Sequence, residues 1–95
     1  MNLSVELNEK FFNFKSKGTN RVAFAEEITG IVNKYLPESV SYEVVNKALA
    51  YSDKNTKSFL KFLVIKLWRE DPEKSERLVL YIEDKFPKFL DEVLN

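Results

Sequence analysis

Apolar residues recur along this chain at three- and four-residue steps, the spacing that gathers them on one face of an α-helix. Leu3, Leu7, Phe11 and Phe14 form the first stripe, and Gly18 marks its stop. A second helix follows, capped by Thr19 or Asn20, with Phe24, Ile28, Ile31 or Val32, and Tyr35 on its inner face. Gly30 lies inside that stripe and lowers helix propensity by about 1 kcal/mol, which predicts a close helix crossing there. Pro37 ends the helix, and Ser39 or Ser41 starts a short third one carrying Val44, Val45, Ala48 and Leu49.

Asp53 and Asn55 offer caps for a fourth helix that runs to about Glu70. At 100° per residue, Phe59, Leu60, Phe62, Leu63, Val64, Ile65, Leu67 and Trp68 cover most of its circumference, which predicts a helix in the middle of a bundle. The run is rich in strand formers, but its length without Gly or Pro favours helix. Asp71-Pro72 starts a fifth helix, with the stripe Leu78, Ile82, Phe86, Phe89 or Leu90, and Val93, kinked or briefly broken at Pro87. The expected fold is an all-α, compact single-domain bundle of five to six short helices over residues 1–95, with Ile28, Leu63, Leu67 and Ile82 in its core.

Composition narrows the chemistry. The chain has 95 residues, 44% apolar and 14% aromatic, enough for one modest core. It holds neither histidine nor cysteine, which excludes disulfides, zinc fingers and every catalytic device built on imidazole or thiol. The first residues lack the basic region and apolar stretch of a signal peptide. The segment from Phe59 to Trp68, broken by Lys61 and Lys66, is about half a bilayer span. A cytoplasmic protein without membrane contact is expected.

The remaining candidates for catalysis have plainer roles. Adjacent helical positions diverge by 100°, so Glu26 and Glu27 do not share a substrate. Glu73 and Glu76 follow an N-cap, where acidic groups complement the helix dipole. Ser58-Phe59-Leu60-Lys61 has the Ser-x-x-Lys form of acylating enzymes without their partner motifs. Gly18 and Gly30 begin no phosphate-binding loop, and Asp53-Lys54-Asn55 lacks the glycine and closing glutamate of a calcium loop. No metal, cofactor or enzymatic activity is expected.

Two readings concern binding. The segment Ser41–Ala50 has the pattern of a helix-turn-helix recognition helix, in which Asn46 reads adenine, Glu43 accepts from cytosine and Lys47 meets phosphate. Pro37 in the turn, a single lysine beside a glutamate on the reading face, and a net charge of zero weigh against DNA. The spacing from Lys57 through Leu60, Leu63, Asp71-Pro72 and Leu78 to Phe89-Leu90-Asp91-Glu92-Val93-Leu94 resembles that of the caspase-recruitment branch of the death fold. The likeness covers under half the chain, and its spacing is common to helical bundles.

The charges themselves are segregated. Residues 1–46 carry a balance of −1, residues 47–69 one of +5 and residues 70–95 one of −4. This pattern predicts a small non-enzymatic protein-interaction module, an adaptor, inhibitor or regulatory subunit. Lys54, Lys57 and Lys61 form one edge of its binding surface, and Glu83-Asp84 with Asp91-Glu92 form another. A foreign protein partner is expected ahead of self-association, because alternating patches contact head to tail and build open chains. The alternative is the DNA-binding regulator using Glu43, Asn46 and Lys47.

Overall fold

The computed structural model describes residues 2–17, 20–52 and 55–87, among which the chain forms five α-helices and no strand. These are α1 (Leu3–Lys17), α2 (Arg21–Tyr35), α3 (Tyr42–Tyr51), α4 (Thr56–Glu70) and α5 (Pro72–Lys85). A short polar side chain turns back onto the free amides at each start. Asn2 accepts the Val5 N–H at 2.9 Å, Asn20 those of Val22 and Ala23 at 2.8 and 3.3 Å, Ser41 that of Val44 at 3.3 Å and Asn55 that of Ser58 at 2.9 Å. Asp71 both ends α4 and starts α5. Its N–H bonds to the Leu67 carbonyl at 2.7 Å, and its carboxylate accepts the Lys74 N–H at 3.3 Å. Pro72 then fills a first helical position that needs no amide donor. With one residue between them, α5 folds back along α4.

α4 is the central element, packed on α1, α3 and α5, while α2 bridges α1 and α3. Its inner arc of Phe59, Leu60, Leu63, Val64 and Leu67 is buried. That arc joins Leu3, Leu7 and Phe11, Phe24, Ile28 and Val32, Val44 and Val45, and Leu78 and Ile82 in a single apolar cluster. Phe11 sits at its centre, with ring centroids 5.5 Å from Phe24 and 5.7 Å from Phe59. All four expected core residues are buried. Two polar ties fix the helix registers: Thr56 donates its hydroxyl proton to Asn8, joining α4 to α1, and Ser75 donates to the Val64 carbonyl at 2.9 Å, joining α5 to α4.

Two sequence expectations need correction. Gly30 is exposed, and a Cβ built on it meets nothing within 4 Å, so no helix crosses there. α4 is not covered all round: Ile65 and Trp68 are exposed and Phe62 only half-buried. A third expectation is met in part, because α5 ends at Lys85 with Phe86 as its cap, one residue before Pro87. Gly18, Thr19, Phe89, Leu90 and Val93 lie outside the described residues.

The α2–α3 connection depends on Asn33. Its carbonyl oxygen accepts the Ser39 and Val40 N–H groups at 3.0 and 3.1 Å and the Ser39 hydroxyl at 3.3 Å, and its amide donates to the Val40 carbonyl at 2.9 Å. This clamp holds Glu38 at φ 58°, a left-handed conformation that costs a side-chain-bearing residue about 1 kcal/mol.

At the other side of α2, Tyr35 donates its phenolic proton to Glu6 of α1, and Lys34 reaches the same carboxylate at 3.1 and 3.2 Å. These bonds hold the Glu6 carboxyl below its ordinary range, and the bond to Glu6 together with burial pushes the Tyr35 phenol up to about 12. A depressed acid stabilises the fold above its unfolded pKa and loses that contribution as pH falls through the folded one. A raised phenol stabilises below about pH 10 and loses its contribution as pH climbs toward 12. The Tm gap between wild type and Tyr35→Phe is therefore expected to be widest near pH 7 and to close at both extremes. Thermal melts across pH check this, and a gap independent of pH would contradict it.

Candidate functional site

The outward surfaces of α4 and α5 form the most distinctive face among the described residues. On α4, Lys57, Lys61, Ile65 and Trp68 follow at helical steps, opposite the buried arc of Leu60, Leu63 and Leu67. On α5, Glu73, Glu76, Leu80 and Glu83 do the same, opposite Leu78 and Ile82. Between the two stripes lies a shallow cleft of about 500 Å³. Val64 and Ser75, both buried, form its floor; Ile65, Trp68 and Arg69 form one wall, and Glu76 and Val79 the other. Trp68 is 62% exposed and Leu80 55%. Large apolar groups this open, clustered and rimmed by charge, are the usual composition of a binding surface.

The rims carry opposite charge. Lys61 and Arg69 stand on α4, and Glu73, Glu76 and Glu83 on α5, and none of these five forms an ion pair among the described residues. The ion pairs among the described residues involve other side chains: Lys10–Glu27 at 3.1 Å, Lys34–Glu6 at 3.1 Å and Lys47–Glu70 at 2.9 Å, and on the α5 side Lys74–Asp71 at 4.0 Å and Lys85–Asp84 at 3.5 Å. The opposite flank of α4 covers its own aromatics. Tyr51 stacks on Phe62 with centroids 6.0 Å apart, and the Lys66 ammonium sits 4.1 Å from the Tyr51 ring centre. Among the described residues, the cleft toward α5 has no such cover.

The predicted docking residues are thus partly brought together. Lys57 and Lys61 share the α4 stripe, while Glu83 and Asp84 occupy the last turn of α5, where Asp84 is 3.5 Å from Lys85. Lys54, Asp91 and Glu92 lie outside the described residues. None of Lys57, Lys61, Glu83 and Asp84 lines the cleft itself. Sequence reasoning misses the apolar centre of the face, because it counts Ile65 and Trp68 toward the core. Their position on the arc of Lys61 and Arg69 is the signal that could have found them.

The predicted DNA-reading residues sit on α3, with Glu43 exposed, Asn46 half-buried and Lys47 tied to Glu70. That bond raises the Lys47 pKa and commits its charge within the chain. The α2–α3 link runs from Leu36 to Ser41, longer than the three to four residues of a helix-turn-helix unit. Among the described residues no group of three or more acidic side chains is arranged to hold a metal ion. No described helix is long and apolar enough to cross a membrane.

No protein-family model matches the chain, and no curated protein or solved structure matches it significantly.

Proposed function

We propose that this chain is a non-enzymatic protein-interaction module that docks a protein through the α4–α5 face. The observation that carries the reading is an exposed tryptophan in an apolar cleft that no described residue covers, between rims of opposite charge that form no ion pair among the described residues. Trp68 is the anchor, Ile65, Val79 and Leu80 extend the apolar centre, and the rims steer approach and set register. An adaptor, inhibitor or regulatory subunit makes use of such a face. A phosphate polymer or anionic membrane suits it poorly, because Glu73, Glu76 and Glu83 stand beside the cations.

The test compares wild type with Trp68→Ala and Lys61→Glu as affinity baits in extract of the native host. All three are expected to melt within a few degrees of one another, since both side chains point away from the core. A partner held by wild type and lost by both variants supports the reading. A partner held equally by all three would place docking on another surface.

A further inference from the structure

We infer that the occupant of the α4–α5 cleft is a second copy of this chain, related by a two-fold axis running along the cleft; this deepens the docking reading above and rests on it.

The argument is one of symmetry and charge. The bond from Ser75 to the Val64 carbonyl sets the register of the antiparallel pair. At 1.5 Å per residue, Lys61 then lies within about 5 Å of Glu76 along the helix axes, and Arg69 within about 5 Å of Glu73. A two-fold axis parallel to the helices lays α4 of one copy over α5 of the other. Each basic rim then covers an acidic one, at matching heights, twice. The two Trp68 side chains lie beside the axis and close each other's cleft. A two-fold axis across the helices does the reverse, setting α4 on α4 and carboxylates on carboxylates. Charge therefore selects one of the two face-to-face arrangements.

The same geometry removes the expectation of open head-to-tail chains. Rims of opposite sign on neighbouring antiparallel helices make one self-complementary patch, and such a patch closes as a dimer. The net charge of zero leaves no overall repulsion between copies. The contact is small. Two helices of about 22 Å, side by side, present a footprint of about 400–500 Å² per copy, below the about 800 Å² of a standard interface. The dimer is expected to be reversible.

The experiment is sedimentation equilibrium of the full chain from about 1 µM to about 1 mM at low salt, for wild type, Lys61→Glu, Glu76→Lys, and an equimolar mixture of the two variants. Wild type is expected to pass from monomer to dimer. Each variant alone places like charges at both symmetry-related contacts and is expected to dimerise at least about tenfold more weakly. In the mixture the two substituted side chains, one from each variant, meet as an opposite-charge pair at one contact. The unaltered Lys61 and Glu76 meet at the other, so a heterodimer near wild-type strength is expected.

A wild-type chain that stays monomeric throughout overturns the inference. If a host partner is still lost on Trp68→Ala, the docking reading survives and the occupant is a foreign protein. If Trp68 in that monomer resists quenching by acrylamide, the cleft is closed within the chain itself, and both proposals fall. A dimer indifferent to both charge reversals also overturns the inference, and the host-extract comparison then decides the docking reading on its own.

Discussion

Leu63→Ala is expected to lower the unfolding free energy by about 2–5 kcal/mol. Leu63 is fully buried on the inner arc of α4, the helix that touches α1, α3 and α5. Removing three carbons there loses their transfer energy and leaves a cavity among elements that other contacts hold in place. A domain of this size holds about 5–14 kcal/mol in all, so the single change removes a large share. Urea titration should show a lower midpoint with the slope unchanged. Ile65→Ala is the internal control. It lies two residues away on the outward arc and is expected to cost under about 1 kcal/mol. Equal losses for the two would contradict the placement of α4.

Asn33→Ala has the second-largest expected effect, a loss of about 1–3 kcal/mol. Three donors and one acceptor in the α2–α3 turn lose their partner together, and the Ser39 and Val40 amides are held in a half-buried site. The turn also loses what holds Glu38 at positive φ. Asn33→Asp keeps an acceptor for the three donors but cannot donate to the Val40 carbonyl, so an intermediate loss is expected. Chemical denaturation of both variants checks the order. A neutral Asn33→Ala would show that the turn is set without the clamp.

The sequence makes the helices legible because their signals are local. Asn20, Ser41, Asn55 and Asp71 each act on amides two or three residues away, so reading the neighbouring residues is enough. The buried stripes of α2, α3 and α5 are likewise separated from polar faces at a 3.6-residue period. α4 defeats the same reasoning. It is apolar on two opposite arcs, and periodicity cannot say which arc faces the core and which is left open. Only the placement of α1, α3 and α5 distinguishes Leu60, Leu63 and Leu67 from Ile65 and Trp68.

Asn33 is illegible for a different reason. Its partners lie six and seven residues along the chain, across a turn whose path includes a left-handed glutamate. Gly30 misleads because a glycine in a helix indicates a close approach only when something stands near it. The charge segregation is visible as a count, and the chain order suggests alternating patches. What the count lacks is the one-residue reversal at Asp71, which lays the basic and acidic segments beside each other on the same face.

The most direct measurement uses the indole at the centre of that face. Trp68 is the only tryptophan in the chain, so its emission reports this cleft alone. In dilute solution its maximum is expected at the long wavelengths of a water-exposed indole. It should move to shorter wavelength as concentration rises, along the same curve as the monomer–dimer equilibrium, and Lys61→Glu should shift the midpoint of that curve to higher concentration. An emission maximum that stays fixed from dilute to concentrated protein would contradict the account.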